Sequence, residues 1–307
     1  MGAPEAQGGP PPWINPGLQQ QIEWRDGDIV ISVPPKSGTT WTMNIVHQLL
    51  TGGDADFADI YAQVPWIEFV PRPGVSLEEL AGEINAMDRS RRRAFKTHSA
   101  PPGVPFIEPG TGPDVRYLVV CRDPEEALVS LKPFLEQHAP EWFDLWGVPH
   151  DALVKPDFPT FYQDIAVGMG FEGALFGFLQ AWWALRDWSN VRLLHFSDMK
   201  KDHDGSLQRI ADFIGVHPSE REWAAIREYT SFAWMKQHDR KFEASTVAPF
   251  PVLRPGAMVR KGKAGAAAED GMTPDIARHL RDAGSRICPD ETAVRWFYEG
   301  GPVPASR

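Results

Sequence analysis

The chain has 307 residues, 42% of them hydrophobic, and a formal net charge of −10. That length accommodates one large α/β domain or two small ones, and the apolar fraction suffices for a substantial core. The acidic balance argues against general affinity for nucleic acid or an anionic bilayer, since both need a positive field.

Residues 1–20 are rich in Gly and Pro at their start and read as a flexible N-terminal tail, leaving 21–307 as the folded domain. The N-terminus lacks the apolar segment of a signal peptide, and no run reaches transmembrane length. Two widely separated cysteines, Cys121 and Cys288, do not suggest a disulfide scaffold. Together these features predict a reduced, cytoplasmic setting with no transmembrane anchor.

Ile29–Val33 reads as a buried strand. It runs into Pro34-Pro-Lys-Ser-Gly-Thr-Thr-Trp41, after which an amphipathic pattern carries Trp41, Ile45, Val46, Leu49 and Leu50 on one face until Thr51-Gly-Gly53. Strand, tight loop and helix N-terminus make an anion site, because the first helical N–H groups have no partner within the helix. Gly38 allows close approach of the backbone, Lys36 adds charge, and Ser37, Thr39 and Thr40 add hydroxyl donors. The nucleotide-triphosphate loop has the form G-x-x-x-x-G-K-[ST]; here one glycine follows the lysine.

Leu77–Met87 is predicted helical, and the basic run Arg89, Arg91, Arg92, Arg93 is read as a solvated face. Ala94–Thr97 is a short strand with His98 at its end, where α/β sheets present ligand-binding groups. Val115–Cys121 is the clearest strand; Arg122 ends it, and a helix over Pro124–Leu135 places Ser130 two turns on. Arg122 suits a phosphate dianion through its planar fork, the other reading being a pair with Asp123 or Glu126. A helix over Gly173–Trp188, a strand over Val191–Phe196 and helices over Ser206–Ile214 and Glu220–Tyr229 follow. Residues 236–272 read as a long loop. Strands alternating with helices predict an α/β fold, a single domain whose mostly parallel central sheet is covered by helices on both faces.

Pro35-Lys-Ser-Gly-Thr-Thr-Trp41 closely resembles the 5′-phosphosulfate loop of the cytosolic sulfotransferases, which use 3′-phosphoadenosine-5′-phosphosulfate (PAPS) and release the 3′,5′-bisphosphate (PAP). Phe95-Lys-Thr-His98 is similar to that family's catalytic segment. The stretch from Arg122 to Ser130 resembles its 3′-phosphate segment, and Arg260-Lys-Gly262 resembles the start of the segment that closes over the same phosphate. Glu228-Tyr-Thr-Ser-Phe232 and Val191–Lys200 resemble its adenine-contacting segments. These matches run co-linearly over about residues 28–265. The resemblance implies a P-loop-kinase-like fold and PAPS as sulfuryl donor. It implies His98 as general base, with Lys36 and Lys96 at the reacting centre. It implies donor contacts from Ser37, Gly38, Thr39, Thr40, Trp41, Arg122, Ser130, Phe196, Thr230, Phe232, Arg260, Lys261 and Gly262. Phe196 replaces the family's purine-contacting Tyr and Ala266-Ala-Ala268 replaces an acidic-Trp-Lys ending, which points to a bacterial-like branch.

No metal is expected, since no ligand cluster with zinc spacing is visible. Trp66, Phe69, Phe134 and Trp142, with Phe143 and Trp146, are expected to wall a pocket for a small, lipophilic hydroxyl acceptor: an alcohol, phenol or glycolipid. Two other readings stand beside this one. A small-molecule kinase with a degenerate phosphate loop would need Mg²⁺ ligands after a strand. A non-catalytic nucleotide-binding module would keep Lys36 and Arg122 without needing His98.

Overall fold

The computed structural model describes residues 11–259 and 267–305. At its centre lie four parallel strands, β1 (Ile29–Ser32), β2 (Ala94–Thr97), β3 (Arg116–Cys121) and β4 (Val191–His195), in the order β2-β1-β3-β4. Ser32 pairs with Thr97 on one side and Val119 on the other, and Cys121 pairs with His195. All four chains therefore leave the sheet at the same end.

The strands read as continuous apolar runs because both faces are covered. Ile29, Ile31, Leu118 and Val120 face a layer that includes Ile45, Val46, Leu207 and Ile226. These come from α1 (Thr39–Thr51), α5 (His203–Ile214) and α6 (Glu220–Tyr229). Val30, Phe95, Tyr117 and Val119 face the other layer, with Leu175, Trp182, Leu280 and Phe297. Those side chains belong to α4 (Phe171–Ala184), α7 (Pro274–Ile287) and α8 (Glu291–Glu299), while α2 (Leu77–Asn85) and α3 (Pro124–Leu135) complete the longer helices. No single helix among the described residues is long and apolar enough to cross a membrane. One pair bent by 57°, Phe158–Val167 with Phe171–Ala184, meets the length and composition, and Leu175, Phe176 and Leu179 of that pair are buried in the core.

Two expectations need correction, and a third, the long loop over 236–272, gains detail. The presumed tail is packed over its second half: Trp13 and Leu18 are buried, and a 3-10 helix at Pro16–Gln21 begins on an Asn15 cap. The Val70 amide donates to the Trp13 carbonyl (2.9 Å) and the Asn15 amide to that of Glu68 (2.7 Å). The basic run is not uniformly solvated. Arg89 and Arg91 are exposed, but Arg93 is buried and forks onto Asp28, with Nε–Oδ1 at 2.9 Å and Nη2–Oδ2 at 2.6 Å. Its remaining N–H groups reach the carbonyls of Ile84 and Glu23, so the buried charge is both paired and hydrogen-bonded. The stretch 236–272 carries a helical turn at Asp239–Phe242 and is tied down elsewhere, Thr246 to Asp59 and Arg254 to Gln137.

A candidate sulfuryl-transfer site at the sheet's C-terminal edge

Each strand delivers one group to a cavity of about 1130 Å³ at the carboxyl edge of the sheet: Lys36 after β1, His98 after β2, Arg122 after β3 and Phe196 after β4. This is where open α/β sheets bind ligands.

The loop between β1 and α1 is conformationally demanding. Lys36 has φ +64°, in the left-handed region that a β-carbon disfavours. Gly38 has φ +95°, and a β-carbon there would stand 2.6 Å from the Phe196 ring. Thr39 and Thr40 open α1 and line the cavity. The Ser37 hydroxyl is fully buried and has no hydrogen-bond partner among the described residues. A buried hydroxyl beside uncapped helix N–H groups matches an anion whose oxygens accept from both, so the loop fits a phosphate. The Lys36 ammonium rests 3.9 Å from the centre of the Phe134 ring.

His98 stands at the end of β2, half-buried in the cavity wall. Its Nδ1 lies 2.6 Å from the Val33 carbonyl oxygen. That oxygen only accepts, so Nδ1 carries the proton and Nε2 keeps its lone pair. Burial, then the nearby Lys96 and Lys36 charges, hold the imidazole well below its ordinary pKa, and it is neutral at physiological pH. Lys96 is buried with its ammonium 3.2 Å from the Trp66 ring centre. Burial lowers its pKa well below the usual lysine range, with Lys36 acting in the same direction and Glu68 opposing.

Arg122 does make the pair with Glu126 (Nη2–Oε2, 2.9 Å), and its Nη1 braces the loop through the Lys36 carbonyl (3.0 Å). The guanidinium also lies 4.9 Å from the Phe196 ring centre. It lines the cavity all the same, as does Ser130. The Trp41 indole N–H donates to the Thr230 carbonyl (2.8 Å), and its ring stands 5.7 Å from both Phe196 and His203. His203, which the sequence did not single out, also meets the Thr230 hydroxyl through Nε2 (3.0 Å). The half-exposed Phe232 completes this end of the cavity. Arg260, Lys261 and Gly262 lie outside the described residues.

At the other end, Trp66 and Phe69 stack at 5.3 Å with 7° between their planes, and Phe134 lines the cavity with them. Trp142 does not line it. It is fully buried behind Phe69 (5.8 Å, 16°) and Trp13 (5.8 Å). Phe143 and Trp146 also stand outside the lining; Trp13, Ile14, Val252 and Leu253 take their place. Leu253 is held by a bridge to His138. An aromatic residue's type does not reveal which side of a wall it occupies, and the N-terminal segment has no periodicity that would have marked it.

A family model described as the sulfotransferase domain matches residues 26–286, and the chain belongs to that family. Rat sulfotransferase 2A1 is 27% identical over 218 residues, covering 70% of this chain and 69% of that protein. A Mycobacterium tuberculosis glycolipid sulfotransferase is 28% identical over 255 residues, covering 74% of each. Among solved structures, mouse sulfotransferase SULT7A1 complexed with PAP superposes with a TM-score of 0.68 at 20% identity over 93% of both chains. Retinol dehydratase with androsterone and PAP gives 0.66 at 21% identity, over 92% of this chain and 88% of the other.

Proposed function

We propose that this sulfotransferase moves the sulfuryl group of PAPS to the hydroxyl of a small, lipophilic acceptor. The observation that carries the reading is His98: a neutral imidazole with Nδ1–H donated to Val33 and Nε2 left basic, on the same cavity as the phosphate loop. When bound, PAPS supplies a sulfuryl group on a phosphate leaving group. His98 Nε2 accepts the proton of the attacking hydroxyl. Lys36 and the N–H groups at the start of α1 oppose the negative charge that grows on the departing phosphate oxygen. Lys96 sets its side-chain nitrogen against the Trp66 face, beside the base. Arg122 and Ser130, with Arg260, Lys261 and Gly262, form the 3′-phosphate site in this reading. Trp41, Phe196, Thr230 and Phe232 form the adenine site.

The wall of Trp66, Phe69, Phe134 and Trp13 supports a lipophilic acceptor. The steroid in one structural relative and the glycolipid named for a curated relative fall within that class. Calorimetric titration of PAP and adenosine 5′-phosphate tests the donor reading. PAP should bind far more tightly, and equal affinity would refute it. Mass spectrometry of sulfated products over a panel of alcohols, phenols and glycolipids tests the acceptor.

A further inference from the structure

We propose that Glu68 is a positioning residue for the transfer step, one buried carboxylate that locks the base and the acceptor wall into a single rigid unit. The proposal rests on the sulfuryl-transfer reading of His98. The segment carrying Glu68 lies along the outer edge of β2: the Lys96 amide donates to the Pro65 carbonyl (2.9 Å) and the Ile67 amide to the Lys96 carbonyl (3.0 Å). Glu68 therefore comes level with the end of β2, where it is 2% exposed.

Its two oxygens collect five donors. Oε2 accepts from the His98 backbone amide (3.0 Å) and the Trp66 indole N–H (2.7 Å). Oε1 accepts from the Thr97 hydroxyl (2.7 Å), the Gln19 amide (3.3 Å) and the Ser99 hydroxyl. Hydrogen bonds to an ionised acceptor are short and strong, and a buried network resists rearrangement only when every member is satisfied. One atom, Oε2, thus fixes both the backbone from which the His98 imidazole projects and the ring against which an acceptor lies. The His98 ring stands 5.1 Å from the Trp66 ring. Because that single atom sets their separation, neither can drift independently. A proton acceptor displaced by about 1 Å loses on the order of 10²-fold in rate.

Glu68→Gln keeps the shape and removes the symmetry of the acceptor. In either orientation of the amide, its NH₂ faces at least two donors, so one cluster must give way. The experiment pairs two readouts, histidine spectra of the PAP-saturated protein and the transfer rate of the PAP-free protein. In nitrogen-15 histidine spectra, wild-type His98 should read as the Nδ1–H tautomer, and Glu68→Gln should move it to a mixture of tautomers. Sulfuryl transfer from PAPS to 2-naphthol should fall 10- to 100-fold at saturation, with PAP affinity within threefold of wild type. A lowered melting temperature with unchanged His98 spectrum and unchanged rate would overturn the proposal. So would a rate loss matched by an equal loss of PAP affinity. If wild type transfers nothing from PAPS to any acceptor in the panel of alcohols, phenols and glycolipids, the functional reading fails, and the spectrum alone still decides whether Glu68 positions His98. Should Glu68→Gln not fold, Glu68→Asp carries the same test, since it keeps the charge but cannot span all five donors.

Discussion

Replacing Gly38 by alanine isolates the geometry on which the phosphate loop depends. Two costs can be worked from the structure. At φ +95° an L-residue is strained by ~1–2 kcal/mol. The new β-carbon would meet Phe196 ring carbons at 2.6 and 2.9 Å, and relieving such overpacking costs ~1–3 kcal/mol. The sum, about 2–5 kcal/mol, lowers the melting temperature by roughly 3–8 °C in a chain of this size. The assay is thermal unfolding of wild type, Gly38→Ala, Phe196→Ala and the double variant. Removing the ring should abolish the second cost but not the first, giving a coupling of ~1–3 kcal/mol between the sites. A Gly38→Ala shift under ~1 °C, or the same loss with and without Phe196, would refute the claim that the ring's seat on Gly38 requires a glycine.

Other outcomes follow from the same geometry. His98→Ala should lower transfer ~10²–10⁴-fold while leaving PAP affinity nearly intact; near-normal turnover would remove His98 from the role of base. Because its pKa is held well below the ordinary 6.5, kcat/KM should stay flat through pH 6.5 and fall only at more acid pH. Arg122→Ala should weaken PAP binding by on the order of 10–100-fold, from the loss of a charge-assisted bond of ~1.5–3 kcal/mol. Unchanged affinity in a titration would exclude it from the phosphate site. His47 and His138 are both held down to about 4 by burial. Between that value and 6.5 the unfolded chain binds more protons than the folded one. The stability these residues contribute is therefore complete above pH 6.5 and lost as pH falls toward 4, by up to about 3 kcal/mol each. A denaturant midpoint that does not move between pH 7 and 4.5 would contradict this.

What the sequence revealed depended on whether a feature is local. The helices Pro124–Leu135 and Glu220–Tyr229 were legible to the residue, because an Asp-Pro start and a Ser219 capping box are written in consecutive residues. The strand, loop and helix from Ile29 to Thr51 were legible for the same reason. The Glu68 network was not, because it joins five donors at positions 19, 66, 97, 98 and 99 that meet only after folding. Trp142 was misplaced because apolar character marks burial but not which side of a wall a ring takes. Arg93 looked solvated because its counter-charge, Asp28, lies 65 positions away in the chain.

The cavity has two ends of different ancestry in the fold. One is made by strand termini and the first turn of α1, where shifting any residue disturbs the sheet. The other sets Phe134 of α3 against coil from three remote stretches, around Trp13, Phe69 and Leu253, none of which belongs to a strand or a long helix. Changes at the cavity-facing side chains of those stretches can accumulate without shifting a strand or a long helix. Such an enzyme can exchange one acceptor for another over evolutionary time while its donor chemistry stays fixed. In the laboratory, a library confined to the cavity-facing positions of the three coil stretches, Glu68 excepted, should redirect specificity.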